Sequence, residues 1–83
     1  MPRAPTHAEA VHAAIAALDG TVSLARALVE AGRCVDLGGL DRDAASVCAA
    51  VMALEAEAAR GLRPALEGLL RQVDGLGASL RAA

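Results

Sequence analysis

The sequence predicts an all-α fold, a small antiparallel bundle of three helices that associates with a second copy of itself. Three observations predict it. Apolar residues recur at spacings of four and three in three separate stretches, the mark of a helix with one buried face. Those stretches are divided by two segments bearing glycine or proline, CVDLGGLDRD at Cys34–Asp43 and RGLRPAL at Arg60–Leu66. The chain of 83 residues is 55% hydrophobic yet has no Phe, Tyr or Trp, so its core must come from Leu, Val, Ile, Met and alanine. Alanine buries little area, and at about 25 cal/mol per Å² an alanine-rich seam gains little per contact. A single domain of this size has only a marginal core of its own. Borrowing the surface of a second copy is the expected remedy.

The first helix is predicted over 6–32. Val11, Ile15, Leu18, Val22, Ala25 and Val29 form its stripe, with Leu24 and Leu28 widening the face beyond a narrow coiled-coil seam. Thr6 is placed to cap the start, with Glu9 three residues on completing a capping box. Gly32 and Arg33 supply a stop: a glycine after the last periodic residue and a cation near the carbonyl end. Gly20 lies inside this helix and weakens it by about 1 kcal/mol relative to alanine. Residues 1–5, with two prolines, are expected to be mobile.

The second helix is predicted over 41–60 on the stripe Leu40, Ala44, Val47, Val51, Leu54 and Ala58. The third is predicted over 63–82 on Leu62, Leu66, Leu69, Val73, Leu76 and Leu80. Between them the phase slips by one residue where Gly61 and Pro64 fall close together. Proline suits a first helical turn and costs about 3 kcal/mol deep inside a helix. The expectation is a break there, or else a single helix kinked at Pro64. Gly75 and Gly77 should loosen the last helix, so that it frays near its end. Arg26 with Glu30, Glu57 with Arg60, and Arg63, Glu67 and Arg71 in series are set for surface ion pairs worth a few tenths of a kcal/mol each.

Composition narrows the functional classes. Net charge is −2, and the basic residues are eight arginines with no lysine, a bias of the encoding genome rather than a functional mark. Both signs are interspersed, so no basic tract offers a footprint for nucleic acid. No segment is expected to reach the ~18–20 apolar residues of a membrane span, and the start of the chain lacks the pattern of a signal peptide. A cytoplasmic protein is expected, with Cys34 and Cys48 as thiols.

The candidate sites resolve into structural roles. CVDLGGLDRD lacks the alternating oxygen ligands of a calcium loop and the G-x-x-x-x-G-K-[ST] pattern of a phosphate cradle. It reads as a corner. Leu37 and Leu40 plug the end of the bundle, Gly38 and Gly39 make the turn, and Asp36 and Asp41 have oxygens suited to capping a turn or the second helix. His7 and His12, five residues apart, do not share a helix face as an i, i+4 metal pair would. A His12–Cys34–Asp36 arrangement fails on distance, because Cys34 lies ~30 Å along the helix from His12. Cys48, beside Val47, reads as a small core residue and Cys34 as an exposed one. Met52 reads as core by default. Ala10, Ala13, Ala14 and Ala17, and Ala45, Ala49, Ala53 and Ala56, form smooth strips that would let helices approach closely.

No catalytic, cofactor-binding or metal-binding residue is assigned, and no cofactor is expected. The sequence thus predicts a non-catalytic protein–protein interaction module, a homodimeric adaptor or chaperone-like subunit. Its expected partners are itself and a helical segment of another protein, with neither nucleic acid nor membrane. The alternatives are a small DNA-binding three-helix protein, whose third helix would offer only Arg63, Arg71 and Arg81, and an accessory subunit of an enzyme.

Overall fold

The computed structural model describes residues 6–82; the mobility expected of residues 1–5 lies outside them. Among the described residues there are four α-helices and no strand: α1 His7–Glu30, α2 Leu40–Met52, α3 Ala56–Gly61 and α4 Arg63–Ala82. The fold is all-helical, and its packing is compatible with a helical bundle.

Helix α1 begins and ends for the reasons its sequence suggests. The Thr6 hydroxyl oxygen accepts a hydrogen bond from the Glu9 amide at 3.1 Å, satisfying one of the free donors of the first turn. At the other end Gly32 has φ 78, the left-handed conformation that glycine adopts without steric cost. The Gly32 amide donates to the Val29 carbonyl and the Arg33 amide to the Leu28 carbonyl, which is the Schellman closure. Val11, Ile15, Leu18, Val22, Ala25 and Val29 are all buried. They are six of the ten residues in the core cluster, so α1 is the hub on which the other helices lie.

Gly20 in the middle of this hub is exposed, and an added Cβ would meet nothing within 4 Å. Gly20→Ala is therefore expected to stabilise the protein by about 0.5–1 kcal/mol through helix propensity and reduced unfolded-state freedom. A thermal melt should rise by roughly 2–8 °C.

The predicted second helix is too long. It ends at Met52, with Ala53 as its C-cap and Glu55 in an extended conformation at ψ 150 before α3 starts. The reason is tertiary. Val47 lies beside Ala14 and Leu18, and Leu40 beside Leu24 and Ala25, so α2 descends toward the start of α1. A helix continued to residue 60 would run about 12 Å further, at 1.5 Å per residue, past the point where α1 can cover its apolar side. The chain turns instead, and Leu54 stays packed against the core. The Leu54 amide closes the turn on the Val51 carbonyl at 3.1 Å.

The expected break near Pro64 falls at Leu62. That residue caps α3 with φ −89 and ψ −5 and starts the bonding of α4, its carbonyl accepting from the Leu66 amide at 3.0 Å. Pro64 sits in the first turn of α4, where its missing N–H leaves nothing unsatisfied. Gly61 is the last residue of α3.

The largest interface joins α1 to α4, and these helices run in the same direction. The Arg26 Nη1 donates to Gln72 Oε1 at 3.0 Å, and one turn further along α1 the Glu30 Oε1 accepts from the Ser79 hydroxyl at 3.1 Å. α2 lies on the other flank of α1 and touches α4 little. The expected fraying of the last helix is not seen: α4 continues to Ala82. Gly75 has a packing role in that helix: the Arg26 guanidinium crosses it, 2.5 Å from where a Cβ would stand. Arg26 and Glu30 approach at 3.9 Å, and Arg63 and Glu67 pair at 3.0 Å.

One compositional expectation needs correction. By length and composition α1 is long and apolar enough to cross a membrane. Counting uninterrupted apolar residues missed this, because alanines between the stripe positions raise the hydropathy of the whole helix. The core helix of a bundle passes the same test, and α1 carries most of the core.

Candidate functional site

Of the stretch 34–43, residues 34–39 make the corner and 40–43 open α2, and the corner is held as its residue types suggest. The Asp36 carboxylate accepts from the Gly38 amide at 2.9 Å, closing an Asx turn. Leu37 and Leu40 are half-buried against the core. Asp41 does not cap α2, contrary to one expectation. The N-cap is Gly39, with no side-chain bond, while Asp41 and Asp43 lie in the first turn, where their charge favours the amide end of the helix.

His7 and His12 are both exposed. Cys34 and Cys48 are free and exposed, which corrects the core placement of Cys48. α2 rests on α1 along a narrow line and buries only Val47. Cys48 lies about 100° further round the helix and misses that line. Met52 is 86% exposed, so it is not core either. The alanines of both strips are exposed, and Ala14 and Ala17 also line a shallow hollow toward α2. Among the described residues no three His, Cys, Asp or Glu side chains gather where they could hold a metal.

What the structure does bring together is an apolar groove. Because α2 and α4 lie on separate flanks of α1 and hardly touch, a trough of roughly 260 Å³ opens between them. Leu18 and Val22 form its floor, Leu37, Leu40 and Ala44 one wall, and Val73 and Leu76 the other, with Asp41 at the rim. In a closed three-helix bundle these walls would meet. Here they stand apart as in a four-helix bundle lacking one member.

The apolar surface continues outward along α4. Leu70 is 60% exposed, and Val73 and Leu80 are also exposed. With half-buried Leu66 and Gly77 they form a second line at spacings of four and three. The line facing α1, Leu62, Leu69 and Leu76, is buried. α4 therefore carries two apolar seams and has a neighbour for one. The sequence reading merged them into a single stripe, and the merger hid the site. The signal that separates them is the seven-residue period within the stripe, which sorts Leu62, Leu69 and Leu76 from Leu66, Val73 and Leu80.

Total surface points the same way. The chain exposes 5863 Å², while a compact monomer of 8.3 kDa exposes about 4,600 Å². Setting aside the residues outside 6–82 at the full area of an extended chain, about 900 Å², leaves about 4,950 Å² for a body of about 7.7 kDa, for which the same scaling gives about 4,320 Å², an excess of about 600 Å².

No family model matches this chain, nor does any curated protein or solved structure at a significant level.

Proposed function

We propose that the protein is a non-catalytic helical interaction module that works as a homodimer, the second copy covering the apolar groove between α2 and α4. The observation that carries this reading is that groove and the exposed line Leu70, Val73 and Leu80 continuing from it. Contiguous apolar surface of this kind marks an interaction site in a folded domain. The excess of exposed area is close to the ~800 Å² that each partner buries in an interface of standard size. A helix is the natural occupant, since the groove lies between two helices and exposes few polar groups to anchor an extended strand.

The groove offers no charged side chain except Asp41 at its rim, which suits an apolar helix better than a phosphate backbone or a polar substrate. An adaptor or chaperone-like role follows if a helix of another protein exchanges with the second copy in that groove. We place such a module in the cytoplasm.

Sedimentation equilibrium across micromolar concentrations tests the association. The expected result is a mass near twice 8.3 kDa, shifting toward the monomer on dilution. A compact monomer at 100 µM that needs no detergent would defeat the proposal. A protein recovered only with lipid or detergent would favour a membrane role for α1 instead.

A further inference from the structure

We propose that the second copy docks through α4, packed antiparallel against its own counterpart about a two-fold axis at Val73. This rests on the dimeric reading above and adds the surface and the direction.

The seam Leu66, Leu70, Val73, Gly77 and Leu80 has the four-three spacing of a coiled-coil core. In an isologous interface every contact is made twice, so the seam must complement itself. Reversed about Val73, it does. Leu66 meets Leu80 of the other copy, Val73 meets itself, and Leu70 lies one residue off level with Gly77. That glycine has room for a leucine once the exposed Arg81 side chain, whose Nη1 stands 3.4 Å from the place of a Cβ there, swings toward the other copy. Run in parallel, Leu70 would meet Leu70 and Gly77 would meet Gly77, giving one crowded layer and one void. Voids and overpacking are both destabilising.

Charge favours the same direction. Glu67, Asp74 and Arg81 flank the seam on its outer side. In the reversed register Glu67 of each copy faces Arg81 of the other, two favourable pairs. Asp74 meets its own counterpart near the axis, but it is exposed, so salt and water screen the repulsion. In the parallel register the outer residues gain no oppositely charged partner, because the inner flank of the seam is Leu69 and Leu76, which are buried against α1.

The groove fits this docking. Val73 belongs both to the seam and to the groove wall, so a helix crossing at Val73 also covers the trough floored by Leu18 and Val22. The incoming α4 takes the missing fourth position beside α1, α2 and α4. By symmetry, the resident α4 does the same for the other copy.

Site-directed cross-linking decides it. Cys34 and Cys48, both exposed, are replaced by serine, and Val73→Cys or Leu80→Cys is introduced into that background. A disulfide needs Cα atoms within about 7 Å. At the axis the two Val73 positions meet this condition, whereas the two Leu80 positions stand about 20 Å apart along the helices. Under mild oxidation Val73→Cys should yield covalent dimer at least about tenfold faster than Leu80→Cys. Equal rates at both positions would mean parallel packing and overturn the proposal. A dimer by sedimentation with no bridge at Val73→Cys would place the interface elsewhere, leaving the dimeric reading intact. A monomer by sedimentation would remove both.

Discussion

Replacing Ile15 by alanine is expected to destabilise the protein by about 2–5 kcal/mol. Ile15 and Val22 are the largest fully buried side chains. Ile15 lies on the hub helix, so a cavity there opens in the cluster on which the other helices pack. A domain of this length has on the order of 4–12 kcal/mol in total, and the single change consumes a large share of it. Neighbouring side chains have little freedom to fill the space, because the core has no aromatic ring to swing inward. Urea unfolding followed by circular dichroism should show a lower midpoint with an unchanged slope. Ile15→Val, which removes one methylene, should cost only about 0.5–1.5 kcal/mol. Equal, small losses from both variants would mean that the stripe on α1 is not the core.

Leu69→Ala and Leu70→Ala should part company although the residues are identical neighbours. Leu69 is 8% exposed and faces α1, while Leu70 is 60% exposed on the outer seam. The first change should cost about 2–4 kcal/mol at every protein concentration, since it opens a cavity within one subunit. The second leaves the subunit itself nearly unaffected and should weaken association, so its stability loss should grow as protein concentration rises. Denaturation at two concentrations a hundredfold apart separates the two behaviours. A concentration-independent loss of similar size in both variants would show that the two seams of α4 are not distinct.

That pair also shows what was legible in the sequence. The stripe on α1 could be read residue by residue, because all six positions face one packed side and both ends carry strong local stop signals at Thr6 and Gly32. The stripe on α4 could be read as apolar but not as divided. Periodicity says which residues share a face and not which neighbour covers that face. The early end of α2 was likewise invisible: residues 53–55 contain neither glycine nor proline, and the turn is set by where α1 begins. Cys48 and Met52 were misplaced for the same cause, since a helix packed along one narrow line buries fewer side chains than its composition suggests. The groove follows from the short α2 and the divided face of α4 taken together. It exists because α2 and α4 each lean on α1 and not on one another.

The thin attachment of α2 has its own consequence. With Val47 as its one buried residue, this helix is, of the three long ones, the one whose detachment exposes the fewest buried side chains. Openings that free it can leave α1 and α4 paired, so its amide hydrogens should trade with solvent through excursions smaller than global unfolding. A neighbour seated in the trough would brace that helix from its unsupported side, and occupancy of the trough would then be felt as slower exchange along the whole of α2, beyond the residues that line the trough.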